Sequence, residues 1–130
     1  MSVAPGDTFI LTRATGTTPH LWVVLWGPDG PADAFVIVSL STLRPHSDLT
    51  CILSAGEHPF IQHDTCVVYS DARRLTREKL RRAIQTRGAL PRPPMDLAIV
   101  ERIRRGLLIS PRTPHAMVRM AIDVFGADPG

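Results

Sequence analysis

The chain has 130 residues, of which 44% are hydrophobic, and it carries a formal net charge of +3. These totals fit one domain spanning residues 1–130, because a chain of this length buries about two-thirds of its unfolded surface. No apolar run approaches the ~20 residues that a membrane-spanning helix needs, and the N-terminal segment lacks a secretory signal pattern. The sequence therefore predicts a cytoplasmic protein without membrane association. The two cysteines, Cys51 and Cys66, are expected to be reduced thiols.

The first half of the chain carries five short strand signals. Apolar and β-branched runs separated by turn residues predict strands at 8–11, 21–26, 35–40, 50–53 and 65–69. The segment GPDGPAD between the second and third runs is rich in turn-forming residues, which favours an antiparallel hairpin. Five strands without an intervening helix indicate a small antiparallel barrel or sandwich over about residues 6–73.

The second half changes to a helical period. Thr76 can cap a first helix that Gly88 ends, and the segment LPRPPMD is then expected to be a proline-rich break. Pro94 suits the first turn of a second helix whose apolar stripe is Leu97, Val100, Ile103 and Leu107. A third helix is expected after Thr113 and Pro114. The sequence thus predicts an α+β fold, a small antiparallel β-barrel followed by C-terminal helices over about residues 76–126.

The segment CILSAGEHPFIQHDTC, residues 51–66, is expected to connect two barrel strands. We expect Gly56 and Pro59 to form a bend, Phe60 and Ile61 to be buried, and His58 to be available at the barrel rim. On that basis Phe60→Ala would destabilise the fold by about 3–5 kcal/mol.

Zinc binding is the alternative for this segment. Four zinc ligands normally come as two closely spaced pairs, and only the pair of His58 and His63 has such a spacing. We predict no metal and no cofactor, and a site formed by Cys51, His58, His63 and Cys66 stays open as the alternative. A cysteine nucleophile would need a neighbouring base and a depressed pKa. The sequence also lacks a Gly-rich phosphate loop and a dinucleotide-binding fingerprint.

Polar residues that could act on a phosphodiester follow or precede the predicted strands. RNA can be cut without a metal because its own 2′-hydroxyl is the nucleophile. The reaction then needs a proton acceptor, a proton donor and positive charge near the phosphate, which imidazole and guanidinium groups supply. Each candidate could also be a structural residue at a strand end. The candidate catalytic residues are Arg13, His20, Ser41, Thr42, Arg44, His58, Asp71 and Arg73.

A basic stretch follows the fifth predicted strand. Residues 73–87 contain six arginines and Lys79. Guanidinium groups donate paired hydrogen bonds to phosphate, so this stretch predicts contact with RNA or with an acidic protein. The alternative is an ordinary solvated helix face. The candidate nucleic-acid-binding residues are Arg74, Arg77, Arg81 and Arg82.

Four segments in this order resemble the MazF/PemK-like toxin family over about residues 5–82. The segment PGDTFIL is similar to the opening strand of the family, and PHLWVVL is similar to its second strand. The segment FVIVSLST resembles its apolar strand that ends in a hydroxyl residue, and DTCVVYSDARRLTREKL resembles its late strand and helix. The resemblance implies an SH3-like barrel and a homodimeric endoribonuclease that an acidic antitoxin holds inactive.

The resemblance also implies a role for particular residues. Thr42, or its neighbour Ser41, corresponds to the hydroxyl residue beside the scissile phosphate. The family has an arginine directly before the second-strand proline, whereas this chain has Thr18 there, so Arg13, Arg44 or His20 would have to supply the positive charge. We therefore predict a toxin-like, metal-independent endoribonuclease of a bacterial toxin–antitoxin system. The alternative is a barrel module that binds RNA or protein without catalysis.

Overall fold

The computed structural model describes residues 2–12 and 19–129, which form six strands and three helices. The fold is α+β, as the sequence predicts. In chain order the elements are β1 (Thr8–Leu11), β2 (Leu21–Asp29), β3 (Ala34–Thr42), β4 (Ile52–Leu53), β5 (Thr65–Thr76), α1 (Arg77–Gln85), β6 (Ala89–Arg92), α2 (Leu97–Ile109) and α3 (His115–Asp123).

The six strands form one curled antiparallel sheet with the order β4-β5-β3-β2-β1-β6. All five predicted strands are present, and β2 and β3 form the predicted hairpin, with Trp22 opposite Ser39 and Val24 opposite Ile37. The sheet is a half-barrel whose edge strands are β4 and β6. Antiparallel pairing brings the beginning of β2, the end of β3 and the beginning of β5 to one end of the sheet.

The central strands are buried on both faces, which explains their unbroken apolar runs. On β2, Leu21, Val23 and Leu25 belong to one buried cluster, whereas Trp22 and Val24 belong to another. The first cluster lies between the sheet and the helices α2 and α3, and the second lies between the sheet and α1. The helices therefore cover both faces of the sheet.

Strand β5 is longer than the predicted strand at 65–69, because it continues to Thr76. Its pairing with β3 is interrupted where Ser39 lies opposite Val68 and Ile37 lies opposite Arg73. One residue of β3 therefore faces four residues of β5, which is a large bulge. Asp71 and Arg73, which were predicted to follow the strand, therefore lie inside it.

Helix α1 begins at the predicted cap. The Thr76 hydroxyl accepts a hydrogen bond from the backbone N–H of Lys79 over 3.3 Å. The helix ends before Gly88, because Thr86 is its C-cap and Arg87 has a φ of 61°. Arg87 thus occupies the left-handed position that glycine more often takes after a helix.

The prediction of a proline-rich break after α1 was incomplete, because the chain returns to the sheet there as β6. Strand β6 pairs with β1, with Ala89 opposite Leu11 and Arg92 opposite Thr8. Pro91 is tolerated because β6 is an edge strand, where a residue without an N–H need not interrupt a ladder. The residues after 76 therefore complete the sheet as well as adding helices.

Helix α2 begins later than predicted, at Leu97, after Asp96 accepts a hydrogen bond from the backbone N–H of Ala98 over 2.8 Å. Three members of its predicted stripe, Val100, Ile103 and Leu107, are buried against the sheet. The fourth was predicted wrongly, because Leu97 is 68% exposed in the first turn. In α3, which begins after Pro114 as expected, Ala121 is the fully buried contact with the same cluster.

Candidate active site

A cleft of about 850 Å³ opens at the end of the sheet where β2 begins and β3 ends. One wall is formed by Pro19 and His20 before β2 and by the C-terminal end of β3 with Arg44. Another part of the lining comes from the connection between β4 and β5, residues 54–64, which we call the crossover loop. Arg92 and Pro93 at the end of β6 complete the cleft.

The crossover loop is held in place by His58. Its ring is 2% exposed, its Nε2 lies 2.6 Å from the carbonyl oxygen of Pro93, and its Nδ1 accepts a hydrogen bond from the backbone N–H of Phe60 over 3.0 Å. Because Nδ1 is an acceptor, the ring hydrogen lies on Nε2 and is donated to Pro93. Ile61 is buried beside it, as predicted.

Helix α2 fixes the other end of the crossover loop. The Arg102 guanidinium lies 2.6 Å from the Glu57 carboxylate and donates a second hydrogen bond to the carbonyl of Ile52. The hydrogen bond from the backbone N–H of Ser54, followed by the contacts with Arg102, holds the pKa of Glu57 below its ordinary value even though partial burial opposes this shift. The loop is thus anchored to β6 and to α2.

Thr42 at the end of β3 and His63 in the crossover loop are in direct contact in the cleft. The Thr42 hydroxyl lies within hydrogen-bond distance of His63 Nε2, at 3.0 Å. The backbone beside this histidine is also fixed, since the Thr65 hydroxyl donates to the His63 carbonyl over 2.9 Å and the backbone N–H of Leu43 donates to the Asp64 carbonyl over 3.0 Å. The arrangement orients an imidazole and a hydroxyl at the same point of the cleft.

The cleft is basic. Among the residues that the structure describes, its lining contains no aspartate and no glutamate, whereas Arg44 and Arg92 contribute two guanidinium groups. Neither arginine forms an ion pair with another described residue. Unpaired guanidinium groups beside imidazoles and hydroxyls suit an anionic ligand such as a phosphodiester.

Five of the eight candidate catalytic residues line this cleft. They are His20, Ser41, Thr42, Arg44 and His58. The expectation that His58 is available at the rim was wrong, because its ring is buried and both ring nitrogens are already hydrogen-bonded within the protein. His58 instead holds the crossover loop to Pro93. Arg13 lies outside the described residues, as does Thr18.

Asp71 and Arg73 do not line the cleft, contrary to the prediction. The Asp71 carboxylate accepts a hydrogen bond from the Ser39 hydroxyl over 2.8 Å, and the Arg73 guanidinium lies over the Trp22 ring, 4.6 Å from its centroid. The physical reason is the extension of β5 to Thr76, which places both residues within the strand and not after it.

Three of the seven cations in the basic stretch are paired with acidic side chains. Arg77 forms two hydrogen bonds with the carboxylate of Asp33, and Arg81 forms two with Glu78. Arg82 also lies 3.3 Å from Glu78, whereas Arg74 is exposed. This pairing reduces the positive charge that Arg77, Arg81 and Arg82 can offer to RNA.

The four candidate zinc ligands do not form one cluster. His58 contacts Pro93, His63 contacts Thr42, and both cysteines are buried. Within residues 2–12 and 19–129, no group of three or more His, Cys, Asp or Glu side chains is arranged to hold a metal ion. Burial raises the pKa of the Cys51 thiol, which disfavours the thiolate that a nucleophile requires.

The cleft residues that were not identified as site residues from the sequence include His63, Phe60 and Arg92. His63 was considered only as a zinc ligand, Phe60 only as a core residue, and Arg92 not at all. A histidine two residues before a β-strand is a weak signal by itself. Arg92 lies between two prolines, so no local pattern indicated that it would return to the sheet next to β1.

In the described part of the chain, none of the three helices has the length and apolar character needed to cross a lipid bilayer. Comparisons of the whole chain with protein-family models, with curated proteins and with solved structures find no match.

Proposed function

We propose that this protein is a toxin-like, metal-independent endoribonuclease on an SH3-like barrel, and that the cleft is its active site. One observation carries the proposal. The cleft brings together two imidazoles that can reach a ligand, His20 and His63, with two unpaired guanidinium groups and the Thr42 hydroxyl, and its described lining has no carboxylate. This is the set of groups that transphosphorylation of RNA requires.

The reaction uses only the groups of the cleft and of the substrate. One imidazole accepts the proton of the substrate 2′-hydroxyl, and the 2′-oxygen then attacks the adjacent phosphorus. The bond from phosphorus to the 5′-oxygen breaks as the other imidazole donates a proton to that oxygen. The products are a 2′,3′-cyclic phosphate and a free 5′-hydroxyl. Arg44 and Arg92 stabilise the charge that develops on the phosphoryl oxygens.

Thr42 has a positioning role in this scheme. Its hydroxyl is 3.0 Å from His63 Nε2, so it orients the imidazole, and the resemblance assigns it the role of the hydroxyl beside the scissile phosphate. We also propose that the protein is a cytoplasmic homodimer and that an acidic antitoxin inhibits it. A basic cleft whose described lining has no carboxylate suits occupation by an acidic segment as well as by RNA.

The test is cleavage of a single-stranded RNA in the presence of a metal chelator, with analysis of the product ends. We expect cyclic phosphate and 5′-hydroxyl ends, and we expect His63→Ala or His20→Ala to lower kcat/KM by roughly 10²- to 10⁴-fold. The matched control is His115→Ala, an exposed histidine at the start of α3, which should cleave as the wild type does. RNA that stays intact, or equal activity of all three variants, would contradict the proposal.

Cell growth gives a second test of the toxin assignment. Expression of the wild-type protein should inhibit growth, and His20→Ala or Thr42→Ala should relieve the inhibition while the protein stays folded. The non-catalytic binding module would be favoured by a different result. In that case the triple variant Arg77→Glu, Arg81→Glu and Arg82→Glu would relieve the growth inhibition, and the cleft variants would not.

A further inference from the structure

Phe60 is exposed, although His58 and Ile61 in the same loop are buried. Its side chain is 40% exposed at the cleft, whereas His58 is 2% exposed and Ile61 is 5% exposed. A phenyl ring partly in contact with water forgoes part of the stabilisation that full burial gives an apolar side chain. Among the described residues that line the cleft, Phe60 is the only phenylalanine, tyrosine or tryptophan.

Hydrogen bonds hold the backbone on both sides of Phe60. Its N–H is donated to His58 Nδ1 over 3.0 Å, the N–H of Ile61 is donated to the His58 carbonyl over 2.9 Å, and the N–H of Gly56 is donated to the Ile61 carbonyl over 2.9 Å. Pro59 restricts the residue before it as well as its own φ. The loop therefore presents the ring at a fixed place.

The surroundings of the ring match the two parts of a nucleotide. A flat aromatic face is suited to stack on a base, and Arg44 and Arg92 in the same cleft are suited to bind a phosphate. Both features line the same cleft as His63, so a base on Phe60 would belong to a nucleotide near the reacting phosphate.

We infer that Phe60 stacks on an unpaired nucleobase of the RNA bound in the cleft and thereby positions the scissile phosphate; this inference rests on the proposed function. Stacking requires the base to be out of a duplex. Phe60 acts as a positioning residue, because the proton transfers belong to the imidazoles.

Binding of a non-cleavable probe tests the inference. The probe is a short single-stranded oligodeoxynucleotide with a fluorescent end label, which lacks the 2′-hydroxyl and so cannot react. We expect Phe60→Leu, which keeps an apolar side chain but removes the aromatic face, to raise the Kd by roughly five- to hundredfold. A probe of the same length made only of abasic units should bind both proteins equally.

Phe60→Trp is the matched variant that keeps an aromatic face. It should bind the probe within about threefold of wild type, and its indole fluorescence should be quenched when the probe with bases is added. The two native tryptophans are buried, so wild type should show little quenching. These measurements remain informative if the leucine variant does not fold.

The outcomes separate this inference from the proposed function. If RNA is cleaved but Phe60→Leu binds the probe as tightly as wild type, the stacking role is wrong and the ribonuclease proposal stands. If RNA is not cleaved but probe binding depends on an aromatic ring at position 60, the catalytic proposal is wrong and the stacking role stands in a binding module. An equal loss on the abasic probe would also overturn the stacking role.

Discussion

His58 and Pro93 join the two edges of the half-barrel. His58 Nε2 donates to the Pro93 carbonyl over 2.6 Å, and the Thr8 hydroxyl donates to the same oxygen over 2.7 Å. His58 lies in the crossover loop after edge strand β4, and Pro93 directly follows edge strand β6. The contact therefore spans the open side of the sheet, and the cleft lies beside it.

His58→Ala should lower the free energy of unfolding by about 1–3 kcal/mol. The substitution leaves the Phe60 N–H without its acceptor, and an unsatisfied group of this kind costs about 1–3 kcal/mol, whereas the Pro93 carbonyl keeps the hydrogen bond from Thr8. Urea unfolding gives the value. His46→Ala is the control, because that exposed side chain should change stability by less than about 0.5 kcal/mol. Equal stability of the two variants would contradict a clamping role for His58.

Ile61 and Phe60 should differ strongly in their contribution to stability. Ile61→Ala removes a buried side chain and is expected to cost about 2–5 kcal/mol. Phe60→Ala is expected to cost less than about 1.5 kcal/mol, which replaces the larger loss predicted from the sequence, because the ring is exposed. Chemical denaturation of both variants measures the difference. A larger loss for Phe60→Ala than for Ile61→Ala would show that the ring is buried in solution.

Gly106→Ala should be strongly destabilising. A Cβ at this position of α2 would lie closer than 2.5 Å to the hydroxyl of Tyr69, which is buried and donates to the Ile103 carbonyl over 2.8 Å. The helix would have to move away from the sheet, at a cost of about 1–3 kcal/mol or more. Gly88→Ala is the matched control, because its added Cβ would meet no atom closer than 3.6 Å. Thermal unfolding of the two variants should separate them clearly, and equal midpoints would contradict the packing of α2 on Tyr69.

Asp48 should make the protein less stable in acid. Burial by itself would raise its pKa, but the hydrogen bonds from Ser110 and Thr50, together with the charge of Arg112, outweigh burial and hold the pKa below the ordinary value of 3.8. A carboxylate with a lowered folded pKa stabilises the fold fully above its unfolded pKa, and the contribution is lost as the pH falls through the folded pKa.

The measurement is urea unfolding of wild type and Asp48→Asn between pH 7 and pH 3. Wild type should lose more stability than the variant over the acidic part of this range, because asparagine has no proton to take up. The expected difference lies in the pH dependence, so it survives any constant loss caused by the substitution. Parallel curves for the two proteins would contradict the role of the Asp48 carboxylate.

The sequence by itself determined the local elements that have strong periodic signals. The apolar runs at 21–26 and 35–40 are strands because β-branched and aromatic side chains fill both faces of a buried sheet. Thr76 caps α1 because a hydroxyl before a helix can accept a free backbone N–H. His20, Ser41, Thr42 and Arg44 meet in one cleft because strand ends at one end of a curled sheet lie close together.

Only the tertiary structure decided which residues of the crossover loop are buried and that the segment after α1 pairs with the sheet. Phe60 and Ile61 are adjacent and both apolar, and the contact of His58 with Pro93, 35 residues away, determines which of them faces the core. Strand β6 contains Pro91, so its local preference opposes a strand, and it forms because β1 offers an unpaired edge. Long-range pairing outweighs local propensity at both places, and a single sequence carries no signal of it.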